Sequence, residues 1–231
     1  MRSARQFRKA DIAGVDGSFG SVSDVYFDSQ SWAIRYLVVD TGKWLPGRRV
    51  LISPDAIAAD QSTEDVIRLN LTREQIEKSP DVSLDQPVSR QIEAMLYTYY
   101  GWPAYWSAGP SAGATAPVTP IPAGPPPQNP VPESESNPYL RSMEEVSGYR
   151  VQALDGEIGH VEDLVIDDQA RNVRMIVVDT RNWLPGKKVR IPPRWVDQIN
   201  WEEQRLKLHV PRQDVEGSPE HNVSEIIAGN S

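Results

Sequence analysis

Shifted by 139 positions against itself, the chain realigns: residues 16–80 fall on 155–219 without a gap, with identity at 25 of the 65 positions. The densest agreement is Val38-Val39-Asp40-Thr41-Gly42-Lys43-Trp44-Leu45-Pro46-Gly47-Arg48-Arg49-Val50 against Val177-Val178-Asp179-Thr180-Arg181-Asn182-Trp183-Leu184-Pro185-Gly186-Lys187-Lys188-Val189. Asp16-Gly17 returns as Asp155-Gly156, Gly20 as Gly159 and Pro54 as Pro193. A period this long, well beyond the ~20–50 residues of a solenoid unit, marks a duplicated domain. Whatever one copy folds into, the other must fold into as well.

Each copy reads as short strands divided by turns. Asp16-Gly17 carries the signal of a tight hairpin, with both residues tolerant of positive φ. Gly20–Asp28 follows, with Val22 and Tyr26 assigned to one face and Val25 and Phe27 to the other. Ile34–Asp40 is rich in β-branched residues and apolar on both faces near its end. After a turn, Val50 and Ile52 begin another strand, and Ile67, Leu69 and Leu71 mark the last. Its counterpart turns Leu206, Leu208 and Val210 inward and Arg205, Lys207 and His209 outward. Five or six short strands at this spacing predict an all-β fold, two small closed barrels in tandem, with closure removing exposed edges.

The ordered set Asp-Gly-x-x-Gly, Val-Val-Asp-Thr, Trp-Leu-Pro-Gly-[Arg/Lys]-[Arg/Lys]-Val and a following Pro, present twice, resembles the PRC-barrel family. That family is named for the cytoplasmic domain of the photosynthetic reaction centre H subunit, and a related barrel occurs in a ribosome maturation factor. The resemblance implies compact six-stranded barrels that dock on other macromolecules, without catalysis. It places the first barrel over residues 5–80 and the second over 143–215. The H subunit has a membrane-spanning helix ahead of its barrel, whereas no run here is apolar for long enough to serve as one.

Between the copies, Thr72-Arg73-Glu74-Gln75 has the pattern of a capping box and predicts a short helix. An amphipathic helix is expected from about Gln86 to Tyr100 within an aromatic-rich segment, 81–106. Asp85 would be its N-cap, Pro87 would lie in the first turn, and Gly101 would be its stop. Val88, Ile92, Met95, Leu96 and Tyr99 form its apolar stripe. Tyr97, Tyr99, Tyr100, Trp102, Tyr105 and Trp106 crowd its end. These aromatics suit packing on a barrel, or anchoring a partner or a second copy. Residues 107–137 hold nine prolines among small residues, the composition of a disordered tether. Residues 220–231 read as a flexible tail.

Composition narrows the function. The chain has no cysteine, which excludes disulfides and thiol chemistry. Net charge is −8, and no segment has the basic excess that would release counterions from nucleic acid, so nucleic acid is not expected as the main ligand. The basic N-terminus, Met1 to Lys9, leads to Asp11 rather than to an apolar core, unlike a secretory signal. A soluble cytoplasmic protein is the expectation.

Candidate chemistry is sparse. His160, His209 and His221 lack metal-ligand spacing, and His160 and His209 align with Ser21 and Asn70. Asp24, Asp28 and Asp40 recur as Asp163, Asp167 and Asp179. Such carboxylates could serve acid–base chemistry, but at strand ends and turns they would instead accept backbone N–H bonds. The doublet Asp167-Asp168 lacks calcium-loop spacing. Gly14, Gly17 and Gly20 do not form a dinucleotide loop, and no nucleophile elbow occurs. Trp44-Leu45-Pro46-Gly47 and Trp183-Leu184-Pro185-Gly186 read as type II turns whose Trp and Leu cap a barrel end. Alternatively, Trp44, Leu45, Arg48 and Arg49 with Trp183, Leu184, Lys187 and Lys188 form a docking surface for an acidic partner.

The expectation is therefore a non-catalytic adaptor or scaffold binding protein partners, without cofactor or metal, whose barrels either act as tethered modules or pack as a pseudo-symmetric pair. The resemblance also suggests an accessory role at a photosynthetic or other membrane complex, or in ribosome assembly. The aromatic helix, absent after the second copy, is the segment where a specific role is sought first, with Tyr97, Tyr100, Trp102, Tyr105 and Trp106 as candidates.

Overall fold

The computed structural model describes residues 1–42, 44–58, 65–80, 88, 90–105, 139–167, 169–180 and 187–221. In the first repeat the elements are β1 (Arg2–Ser3), α1 (Ala4–Phe7), β2 (Asp11–Gly14), β3 (Gly17–Asp28), β4 (Ile34–Asp40), β5 (Arg49–Ile52), β6 (Val66–Arg68) and α2 (Arg73–Glu77). Helix α3 (Arg90–Tyr100) follows. The second repeat contains β7 (Leu140–Ser142), α4 (Met143–Val146), β8 (Arg150–Ala153), β9 (Gly156–Asp167), β10 (Asn172–Asp179) and β11 (Lys188–Ile191). It ends with β12 (Val196–Asn200), β13 (Arg205–Leu208) and α5 (Arg212–Glu216).

Two sheets result. One runs β5-β4-β3-β2-β6 and the other β11-β10-β9-β8-β13-β12. Among the described strands the hydrogen-bonded path of each sheet is open, so edges are not removed by closure alone. The long strands β3 and β9 each pair with three neighbours, β3 with β2, β4 and β7 and β9 with β1, β8 and β10. Register shifts at Val22/Asp24 and Tyr26/Phe27 mark irregularities in β3. A bulge alters the strict alternation of faces, and Val22, Val25 and Phe27 consequently share one core. The assignment of Val22 and Tyr26 to a common face is thereby corrected; Tyr26 lies with the residues under α3.

The first hairpin forms where expected but with different centres. Gly14 pairs with Gly17, which leaves Val15 and Asp16 as the loop. Neither has positive φ; the unusual torsion belongs to Gly17. Asp16 is instead free to accept the Arg73 amide, as Asp155 accepts that of Arg212, and each ties a helix start to the hairpin.

The two copies are interlocked. Strand β2 covers β3 only as far as Ser21, and over Tyr26–Asp28 the exposed edge is paired by β7, from the other repeat. Reciprocally, β1 pairs with Val165 and Ile166 of β9. Unpaired edge backbone seeks a partner, and here each repeat supplies the other's. The boundaries expected at residues 5 and 143 therefore cut through arms that belong to the opposite sheet. Ala4, Phe7, Met143 and Val146 from these arms join one core with Val25, Phe27, Leu164 and Ile166. Of the two arrangements left open by the sequence, tethered modules or a pseudo-symmetric pair, the chain adopts the second.

Candidate functional site

Helix α3 seats on the outer face of the first barrel. It begins at Arg90, later than the expected Gln86; Asp85 and Pro87 lie outside the described residues, and Gly101, at φ 69°, ends it as expected. Beneath it, Tyr36 and Val38 of β4 and Leu51 of β5 pack against Val88, Leu96 and Tyr97. This accounts for a β4 strand that is apolar on both faces: Leu37 and Val39 fill the shared core, while Tyr36 and Val38 form the floor under the helix.

The buried face is not quite the expected stripe. Met95 is 51% exposed, and the centre of the contact is Glu93, fully buried. Its carboxylate accepts from Tyr36 Oη at 2.9 Å and Tyr105 Oη at 2.7 Å. A buried carboxylate is costly unless charge-assisted hydrogen bonds meet it, and the two phenols do so. The Arg35 guanidinium lies 3.7 Å from the centre of the Tyr105 ring. Burial, followed by the Glu93 charge, pushes the Tyr36 phenol far above its ordinary range. Burial likewise pushes Tyr97 and Tyr100 up to about 12. Tyr97 contacts Trp102 edge-on, Tyr100 stacks on Trp102 with centroids 4.2 Å apart, and Tyr99 Oη donates to the Gln75 carbonyl. Trp106 lies outside the described residues. The described aromatics are thus engaged with their own barrel, with Trp102 and Tyr105 half-buried.

At the barrel end, Arg48 N–H donates to the Leu45 carbonyl and Gly47 has φ 78°, as a type II turn requires. Trp44 is half-buried: its ring stacks on Phe19, and the Arg73 guanidinium lies 5.3 Å from its centre. Arg48 donates to the carbonyls of Glu77 and Ser79 and so holds the end of α2. Leu45 is half-buried and Arg49 exposed. In the second copy Trp183 and Leu184 lie outside the described residues, Lys187 is exposed, and Lys188 Nζ donates to Glu162 at 3.0 Å.

The recurring aspartates form two kinds of contact. Asp28 accepts from the amides of Gln30 and Ser31, and Asp167 from those of Gln169 and Ala170. These are the expected turns, each closed by an arginine, Arg35 or Arg174. Asp24 and Asp163 are not strand-end residues; they lie mid-strand and reach across to the other repeat. Asp24 accepts from the Ser142 hydroxyl and the amides of Val25 and Glu144. Asp163 accepts from Ser3, Arg5 and Leu164 in the same way. The carboxylates therefore fasten the exchanged arms. Burial nevertheless raises both above the ordinary carboxylate range.

Folding also assembles a group that linear spacing hides. Antiparallel pairing sets His160 opposite Asp179, and Glu162 lies on the same side, with ligand atoms of all three within 4.8 Å of one another. Glu162 already faces Lys188 at 3.0 Å and Arg5 at 3.0 Å. Although burial opposes it, these cations hold its carboxyl below the usual range. The His-x-Glu alternation in one strand was the available signal, but its partner Asp179 could be supplied only by strand pairing. Copy one has Ser21, Ser23 and Asp40 in these places.

Two duplicated, mostly β modules sharing a core through exchanged arms define a tandem barrel protein. The family model described as PRC-barrel domain matches residues 1–76 and 142–215, and the chain belongs to that family. A search of curated proteins gives no match. Among the described residues, no helix is long and apolar enough to cross a membrane.

Proposed function

We propose that this chain is a non-catalytic adaptor that binds a protein partner through its barrel surfaces. The observation that carries this reading is the seating of α3: the outer face formed by β4, β5 and α2 accepts an amphipathic helix with an apolar floor and specific polar contacts at Tyr36 and Gln75. Helix-in-groove binding is a common mode of recognition between proteins, and this surface already performs it in cis. The absence of catalysis is supported by how the repeated aspartates are used. Asp24, Asp28, Asp163 and Asp167 accept backbone amides within the fold, a structural use of these carboxylates.

The half-buried Leu45 and the exposed Arg49 and Lys187 extend the candidate surface to the barrel ends. Affinity capture with the tagged full chain tests the reading. Recovery of a partner protein in near-stoichiometric amount supports it. If nothing is recovered above an untagged control, the adaptor reading falls.

A further inference from the structure

The outer face of the first barrel is covered by α3, and its equivalent on the second barrel is a groove of 610 Å³. Met175, Pro192, Trp195 and Pro219 give it an apolar lining, with Gln213 beside them. Shifted by 139 positions, Met175, Pro192 and Trp195 are the equivalents of Tyr36, Ser53 and Ala56. The exchange removes what α3 uses. Met175 lacks the hydroxyl with which Tyr36 meets Glu93, and Pro192 lacks the hydroxyl with which Ser53 meets Tyr97. Trp195 adds an aromatic surface and an indole N–H where the first barrel has Ala56.

Prolines laid on an aromatic side chain are the mark of polyproline II recognition. A proline has its φ already fixed, so such a segment loses little entropy when it docks. This chain carries one. Residues 106–138 lie outside the described residues, and within them Pro117 with Pro120, Pro122 with Pro125, and Pro127 with Pro130 form three Pro-x-x-Pro frames. At three residues per turn, each frame puts two prolines on one face of the extended helix.

The segment also starts and ends close to the groove. Before it, the Tyr105 ring lies against the Arg35 guanidinium; after it, the Tyr139 carbonyl accepts from the Ser29 amide. Between those two contacts, Ala33 bridges to Asn172, and Met175 lies three residues further along β10, a step of about 10 Å. A polyproline II path gives the segment about 100 Å in which to go out and return. Direction agrees with distance. The twofold axis of an antiparallel pair stands perpendicular to the paired strands, so the equivalent residues Tyr36 and Met175 face the same side of the molecule.

We infer that the chain's own proline-rich segment, residues 117–132, docks in this groove with its prolines on Trp195 and Met175. The stretch between the repeats then serves both outer faces, α3 covering the first and the prolines the second. The contact is separate from the adaptor reading, and partner capture does not bear on it.

Of the four methionines, Met175 alone lines the groove, so methyl-labelled methionine spectra of the full chain report on its occupancy. The P120S/P122S/P125S/P126S/P127S variant breaks every frame. In it the Met175 methyl should shift while that of buried Met143 stays in place. A synthetic peptide of residues 117–132 should return Met175 of the variant toward its wild-type position. The same peptide carrying a spin label should broaden Met175 in the variant at least about tenfold more than in the wild type, whose groove is already filled. An unmoved Met175 in the variant overturns the inference, as does a peptide that leaves the variant unchanged. Equal broadening in both chains overturns it too, and would leave the groove open to a partner's proline-rich segment. A wild-type Met175 signal that moves on dilution would assign the contact to a second copy, and one that moves on removal of residues 222–231 would assign it to the tail; either result refutes the inference.

Discussion

Ala33 and Asn172 form an isolated antiparallel bridge, and they are equivalent residues of the two repeats. The flanking bonds have the same symmetry: the Ile34 amide donates to Arg171, and the Val173 amide donates to Trp32. A residue that pairs with its own counterpart marks a pseudo-twofold axis, the geometry of an isologous dimer contact within one chain. Trp32 and Arg171, both on this axis, have φ of 59° and 52°. Left-handed backbone is uncommon for such residues, and here the same turn is retained on both sides of the axis.

The arms should make the two barrels one cooperative unit. If a protease site is placed within residues 106–138 and cut, the two fragments should remain together on gel filtration, because β1, β7 and the shared core do not depend on the connection. Separation of the fragments without denaturant would contradict the interlock.

Asp24→Ala and Asp163→Ala should each cost about 1–2 kcal/mol, because each leaves a partly buried hydroxyl and amide of the opposite arm without their acceptor. Urea unfolding measures this. A loss confined to one repeat, seen as two separate transitions, would show that the arms are not holding the pair together.

The same aspartates set a pH dependence of definite sign. Burial raises Asp24 and Asp163 above the unfolded value of 3.8, so the folded state holds their protons to higher pH. Their contribution is fully present below about 3.8 and is lost as pH rises through the folded values. Asp167 is opposite: the Ala170 amide lowers it first, so its contribution is present above 3.8 and lost as pH falls through the lowered value. The D24N/D163N variant should therefore gain on wild type as pH rises through the acid range, and D167N should lose. Unfolding midpoints at stepped pH distinguish the two signs.

Tyr36→Phe removes a donor to the buried Glu93 and should loosen α3 by about 1–3 kcal/mol. Hydrogen exchange across Arg90–Tyr100 should rise while that of β9 and β10 remains near wild type. Unchanged protection in α3 would show that the phenol is not needed to hold the helix.

Gly20→Ala and Gly159→Ala should be among the most damaging single changes. Their φ values are 129° and 147°, and a Cβ at either would lie 1.9 Å from the carbonyl oxygen of Asp40 or Asp179. Both the torsion and the backbone contact oppose a side chain, so a loss of about 3 kcal/mol or more is expected. Retention of wild-type thermal stability would contradict the close approach.

Much of the architecture could be read from the chain. The offset of 139 announced the duplication, Thr72 and Gln75 announced the capping box of α2, and Leu45-Pro46-Gly47 announced its turn. These are local signals, carried by residues close in sequence. The misplaced features have the opposite character. The alternation of Val22, Val25 and Tyr26 was broken by an irregular pairing with β4, and Glu93 turned inward because Tyr36 and Tyr105 met it there. Asp24 was read as a turn former, yet it accepts from Ser142 and Glu144, more than a hundred residues away.

The repeat thus determined by itself that two like modules would form, because identical local patterns have identical preferences for strand and turn. It did not determine what each module would do with its leading segment. Arg2–Phe7 and Leu140–Val146 could have folded back on their own barrels as far as the residue pattern goes; only tertiary structure exchanged them, since that covers the edges that β2 and β8 leave open. The same holds for the two outer faces. Equal in position, they were made different by α3 covering one, a distinction that appears only once β4, β5 and α2 are assembled beneath it.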